Sequence, residues 1–162
     1  MGQEFDRRER GGANSLSADF IKAAVEQYRT NQLQCTADNL GVKDAHSIWF
    51  DLPKLKKFIA DIENLAGSSD SSVTDADLGI RMYYAAYPEN CEDADIKKEY
   101  HKCHTLIMIP TKKDSSSGQT IHRDFNPLES TDDRRLALAT VNAMAQNHGS
   151  LAPPDNCDGE SY

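Results

Sequence analysis

Residues able to hold a metal ion gather in one stretch of the chain: Cys91, His101, Cys103 and His104. Thiolates and imidazoles are the ligands zinc prefers. The run His101-Lys102-Cys103-His104 puts three of them within four residues. Neighbouring side chains on a strand point to opposite faces, so Cys103 and His104 do not readily share one ion there. The spacing matches no common zinc module. Further along, His122 and Asp124 flank Arg123. A carboxylate beside an imidazole can fix its tautomer, so this pair could be two ligands or a base with its orienter. The candidate metal set is therefore His101, Cys103, His104, His122 and Asp124. A polar strand end is the plainer reading of each.

Other chemistries find less. His-Arg-Asp occurs in protein-kinase catalytic loops, but an Asn must follow the Asp five residues on, and Glu129 stands there. Cys103 could be a nucleophile if its surroundings lowered its pKa. Lys102 and two histidines are near it in sequence, but so are Glu92, Asp93, Asp95 and Glu99. No Gly-x-Ser-x-Gly elbow, phosphate-binding loop or dinucleotide glycine pattern occurs. No cofactor is implied. The remaining candidate is a face. Alternation along residues 78–87 sets Arg81, Tyr83 and Tyr87 on one side of a strand, and Ile80, Met82 and Tyr84 on the other. Arg and Tyr are enriched at binding hot spots because they combine large contact area with polar tips.

The elements that must position these residues follow from periodicity. Ser17 can cap a helix in which Phe20, Ile21, Ala24, Val25 and Tyr28 recur at helical spacing, fading near Asn31. Residues 47–50 are short, apolar and β-prone. Asp51 caps a second helix with Pro53 in its first turn. Leu52, Leu55, Phe58, Ile59, Ile62 and Leu65 form its apolar stripe, and Gly67 is placed to end it. Residues 78–87 and 105–109 read as strands, the second apolar on both faces and stopped by Pro110. A short strand is expected over 120–123. A third helix is expected over 130–144, closed by Gly149. The sum is an α+β domain, a small antiparallel sheet with about three helices on one face.

The order of these segments resembles that of a group of small, uncharacterised bacterial proteins. The likeness rests on SIWFDLPKLKKFIADIE (47–63), LGIRMYYAAYP (78–88), HTLIMIPT (104–111) and NHGSLAPP (147–154). Their shared strand is Gly-Ile-Arg-x-Tyr, here Gly79, Ile80, Arg81 and Tyr83. Their tail carries a Pro-Pro pair, here Pro153 and Pro154. Cysteines often flank that pair in the group, whereas Ala152 precedes it here and Cys157 follows at a distance. The resemblance implies the order of the fold and brings no activity with it.

Composition bounds the rest. The chain has 162 residues with 18 Lys+Arg against 26 Asp+Glu, a formal charge of −8. A nucleic-acid binder needs a cationic surface, and an anionic membrane surface asks for the same, so neither partner is expected. Arg7, Arg8 and Arg10 are offset by Glu4, Asp6 and Glu9. No apolar run approaches the ~20 residues of a membrane span. Met1-Gly2 suggests myristoylation, but Asp6 occupies the position that wants Ser or Thr. The four cysteines form no Cys-x-x-Cys and read as free thiols of a cytoplasmic protein. The expected organisation is a disordered tail over 1–16, one domain over 17–150 and an extended acidic tail over 151–162. The functional expectation is a non-catalytic interaction protein that binds a protein partner or itself through Arg81, Tyr83 and Tyr87. The alternative is a small metal- or cysteine-dependent enzyme.

Overall fold

The computed structural model describes residues 16–128, 143–156 and 158–162. Its elements are mixed helix and antiparallel sheet, as the α+β reading requires. Helix α1 (Ala18–Gln27) starts where Ser17 accepts from the Phe20 N–H at 3.2 Å. It does not fade at Asn31. It passes through a π-helical segment, Tyr28–Leu33, into α2 (Gln34–Leu40), so the three stretches form one continuous helix. Gly41 ends it in the left-handed region, at φ 64°, where only glycine sits without strain.

Strand β1 (Ser47–Trp49) leads directly into α3 (Leu52–Ser69). Asp51 caps α3 by accepting from the Lys54 N–H at 3.2 Å. Gly67 lies inside α3, which runs on to Ser69, and the Ser68 and Ser69 hydroxyls donate to the carbonyls four residues back. The buried stripe is Phe58, Ile62 and Ala66, while Leu52 and Ile59 face solvent. Among the described residues there are thus two helices, not about three. The helix expected over 130–144 falls almost wholly on residues outside those described, as does the tail over 1–15.

Strands β2 (Leu78–Ala86), β3 (His104–Asp114) and β4 (Ile121–Asp124) form one antiparallel sheet in the order β2-β3-β4. Pro110 does not stop β3, which continues four residues past it. The Pro110 carbonyl accepts from the Phe125 N–H at 3.1 Å, so its backbone faces the β4 side. The missing N–H therefore costs the β2 ladder nothing, and Ile80 simply stands opposite the ring. A separate two-stranded sheet pairs β1 with β5 (Ser150–Ala152).

Two cores result. One joins Phe58, Ile62 and Ala66 of α3 to Met108 and Phe125, with Leu78 and Ile80 at its edge. Helix α3 therefore covers one end of one sheet face. The other core packs Tyr87, Ile96, Tyr100 and Cys103 from the long 87–103 connection against Ala45 and Leu151. Leu151 is fully buried, so the folded unit runs past residue 150, where the extended tail was expected to begin. Asp155 takes hydrogen bonds from Lys97 Nζ at 2.7 Å and from the Tyr100 hydroxyl at 2.6 Å. Glu160 reaches Ser47 and lies 3.5 Å from Arg29.

Gly149 was expected to close a helix; instead it is the point of closest approach to β1. A Cβ there would sit 2.5 Å from Ile48 Cγ2 and 2.9 Å from Phe50 Cζ. Gly149→Ala should cost about 1–3 kcal/mol, read as a thermal midpoint lower by roughly 3–10 °C. An unchanged midpoint would mean that this contact does not constrain the β1–β5 junction.

The Lys97 ammonium and the Tyr100 hydroxyl hold the Asp155 carboxyl below its usual value. A depressed folded-state pKa stabilises the fold above the unfolded value of about 3.9, and that contribution is lost as pH falls through the folded value. Asp155→Asn should therefore lower stability at pH 7 by about 1 kcal/mol. Urea melts should show the gap from wild type closing as pH drops below about 4.

Candidate functional site

The strand alternation places Arg81 and Tyr83 together on one sheet face, and β4 brings a third member to them. Asp124 stands opposite Thr111 on β3, one strand across from β2. One of its carboxylate oxygens accepts from Arg81 Nη1 and the other from the Tyr83 hydroxyl. Arg81 Nη2 also donates to the His122 carbonyl at 2.7 Å. The Tyr83 hydroxyl, and then the Asp124 charge, raise Arg81 above its already high pKa. Arg81 and Tyr83 remain exposed, so their planar surfaces are presented while their polar tips are held.

Tyr87 does not join them. Strand β2 ends at Ala86, and Tyr87 turns into the core, 6% exposed, with its ring stacked 6.2 Å from that of Tyr100. Its hydroxyl bonds to Asn147. Alternation ceases to predict facing once the chain leaves the strand, which is why the sequence reading misplaced it.

The metal set does not converge. His122 pairs with Lys113, nine positions along β3 from His104. At about 3.3 Å per residue the two histidines stand roughly 30 Å apart. Asp124 is occupied by Arg81 and Tyr83. His101 Nδ1 lies 3.0 Å from the Glu89 carbonyl on the opposite side of the 87–103 connection. Among the described residues no group of three or more His, Cys, Asp or Glu is arranged to hold a metal ion. Nor is Cys103 an activated thiol. It is 2% exposed, and burial, then the charge of Asp44, push its pKa up, the reverse of what a nucleophile needs.

His104 has a different partner, one that sequence reasoning missed. The Asp44 side chain is fully buried and accepts from the Ala45 N–H at 2.8 Å and the His104 N–H at 2.6 Å. Its second oxygen meets His104 Nδ1. A carboxylate only accepts, so Nδ1 carries the hydrogen, and in the neutral form of the ring Nε2 is the acceptor. The ring lines a cavity of about 570 Å³ beneath the first helix. Tyr28, Gln32 and Thr36 enter it from that helix, and Tyr84 and Leu106 from the sheet. The only sequence signal for the pair was a lone Asp in a segment of mixed character, since its partner lies 60 residues away.

Compared with known protein families, curated proteins and solved structures, the chain matches none of them. Among the described residues no helix is long and apolar enough to cross a membrane. Fold and site together define, among the described residues, an α+β protein with a largely apolar cavity beneath its first helix.

Cys35 is exposed on the first helix whereas Cys103 is sealed in the core. Iodoacetamide applied to the native protein should label Cys35 within minutes and leave Cys103 unmodified until denaturant is added. Peptide mass mapping checks this, and rapid native labelling of Cys103 would reopen the cysteine-enzyme reading.

Proposed function

We propose that this protein is a non-catalytic interaction protein that self-associates through β2. The observation that carries the reading is the state of that strand's outer edge. Among the described residues β2 pairs only with β3, over nine consecutive positions without a bulge. The Tyr87 N–H donates to the Cys103 carbonyl at 3.1 Å, and the Lys102 N–H to the Tyr87 carbonyl at 3.0 Å, so Tyr87 faces β3. Backbone groups alternate between the two edges of a strand. Arg81, Tyr83 and Ala85 therefore also bond to β3, while Ile80, Met82 and Tyr84 point their N–H and C=O groups outward.

Folded proteins usually blunt such an edge with lysine, proline, a bulge or a covering element. Among the described residues β2 has none of these, and besides Arg81 its exposed side chains include Met82 at 54%, Tyr83 at 43% and Tyr84 at 93%. The edge is also self-complementary. An antiparallel pair centred on Met82 sets Ile80, at the edge of the α3 core, opposite the partner's Tyr84. It sets Arg81 opposite the partner's Tyr83 in a non-hydrogen-bonded pair, the closer of the two antiparallel spacings. There the held guanidinium can lie on the partner's ring. The two three-stranded sheets would become one of six strands, with a two-fold axis and each interaction made twice. The enzyme alternative lacks its required convergence of His104 with His122.

Native mass spectrometry of the full chain should find a species at twice 18.0 kDa. Met82→Pro removes an outward N–H and leaves the β2–β3 ladder intact, so it should give a monomer with unchanged far-ultraviolet circular dichroism. Tyr84→Lys, which adds charge to the edge without altering the backbone, should weaken the dimer at least tenfold. A wild-type chain still monomeric at about 100 µM, a dissociation constant equivalent to about −5.5 kcal/mol, would overturn the proposal. So would a dimer that both variants leave intact.

A further inference from the structure

We propose that the cavity beneath the first helix binds a small aromatic amine, with its ring between Tyr28 and Tyr84 and its ammonium directed to His104 Nε2. The inference does not rest on the β2 dimer, although the two share Tyr84, and it stands on four observations.

The first is size. At about 570 Å³ the cavity falls within the roughly 300–1,000 Å³ typical of small-molecule sites.

The second is the preparation of His104. Holding one imidazole nitrogen with a buried carboxylate is how proteins aim the other nitrogen at a ligand. Among the described residues Nε2 has no partner, and the His104 side chain is 44% exposed at the cavity. Asp44 is otherwise satisfied by two backbone N–H groups, so the arrangement is rigid.

The third is the helix above. Tyr28 and Gln32 both project from the π-helical segment Tyr28–Leu33. Such segments have poorer hydrogen-bond geometry than an α-helix and concentrate at functional sites. Here neither that segment nor the flanking α1 and α2 buries any residue, so packing against the body does not offset the distortion. A ligand between this helix and the sheet would supply the missing contacts.

The fourth is charge. The Asp44 carboxylate lies behind the lining against His104, and its charge is felt in the cavity: burial, then that charge, then Tyr84 push the Tyr28 phenol above its usual value. An anion entering would meet the same repulsion, while a cation gains the carboxylate and two phenol faces. At the rim His46 Nδ1 lies 3.2 Å from Arg29 and 3.4 Å from Glu160, and those two side chains offset each other's charge. The apolar floor from Ile48 and Leu106 suits the body of an aromatic ring.

Tyramine and 4-hydroxyphenylacetate test this directly, being similar in shape and opposite in charge. Each is titrated into the full-length protein while the His104 ring and Tyr28 resonances are followed by NMR. Tyramine should shift both sets and bind at least tenfold more tightly than the acid. His104→Gln should weaken tyramine binding at least fivefold, and Thr36→Trp, which fills the cavity from the exposed helix, should abolish it. Should His104→Gln fail to fold, Thr36→Trp decides the matter alone. No shift at millimolar tyramine, equal affinity for the acid, or binding that survives Thr36→Trp would each overturn the assignment.

Discussion

A single buried carboxylate joins the two halves of this protein. Asp44 gathers the first residue of β3 and the segment before β1 by accepting two backbone N–H groups and one imidazole. Its neighbours Ala45 and Cys103 belong to the core beneath the long connection. Four positions beyond His104, Met108 belongs to the core beneath α3. The contact therefore sits at the start of the strand that leads from one core to the other. Taking a carboxylate out of water costs several kcal/mol, and leaving it with a partner removed costs more, so the junction tolerates one arrangement. Strand β3 starts from that fixed point and carries β2 on one edge and β4 on the other.

The consequences are uneven across the sheet. Helix α3 covers the end of one face around Ile80 and Met108. It is 18 residues long and starts directly after β1, so its position is set by a very short connection. The first helix has no such tie. It is joined to the body by residues 41–46 and by the meeting of Arg29, His46 and Glu160 at its underside. A helix anchored at so few points stands off the sheet, and the space left is the cavity. The same incomplete cover leaves Met82 and Tyr84 exposed. The open edge and the cavity thus have one structural cause, too few apolar groups on the first helix to close the sheet.

Local chemistry was legible in the residues themselves. Ser17 and Asp51 announce helix starts because their short side chains reach the N–H three residues on. The alternation of β2 put Arg81 and Tyr83 on one face, and they do share one. Where the reading failed, long-range geometry had overridden a local rule. Pro110 looked like a strand end, yet the missing N–H matters only on the edge it faces, and that edge is set by the neighbouring strands. Gly67 looked like a helix end, but the helix runs past it to Ser69. Gly149 looked like a cap and proved to be a close contact with Ile48 and Phe50. The acidic tail contains Leu151, whose burial requires a binding site that no tail residue reveals.

The sequence by itself determined the mixture of helix and antiparallel strand and the helix starts at Ser17 and Asp51. These depend on side chains within a few residues of one another, where spacing and geometry are the same thing. Only the tertiary structure decided which polar groups meet. Asp44 with His104, Asp124 with Arg81 and Tyr83, and Asp155 with Lys97 and Tyr100 are each more than 40 residues apart in the chain. A carboxylate attracts any donor brought to it, so its own sequence context does not name the partner. The partner is selected by strand register and by the burial that removes competing water, and both are properties of the assembled fold.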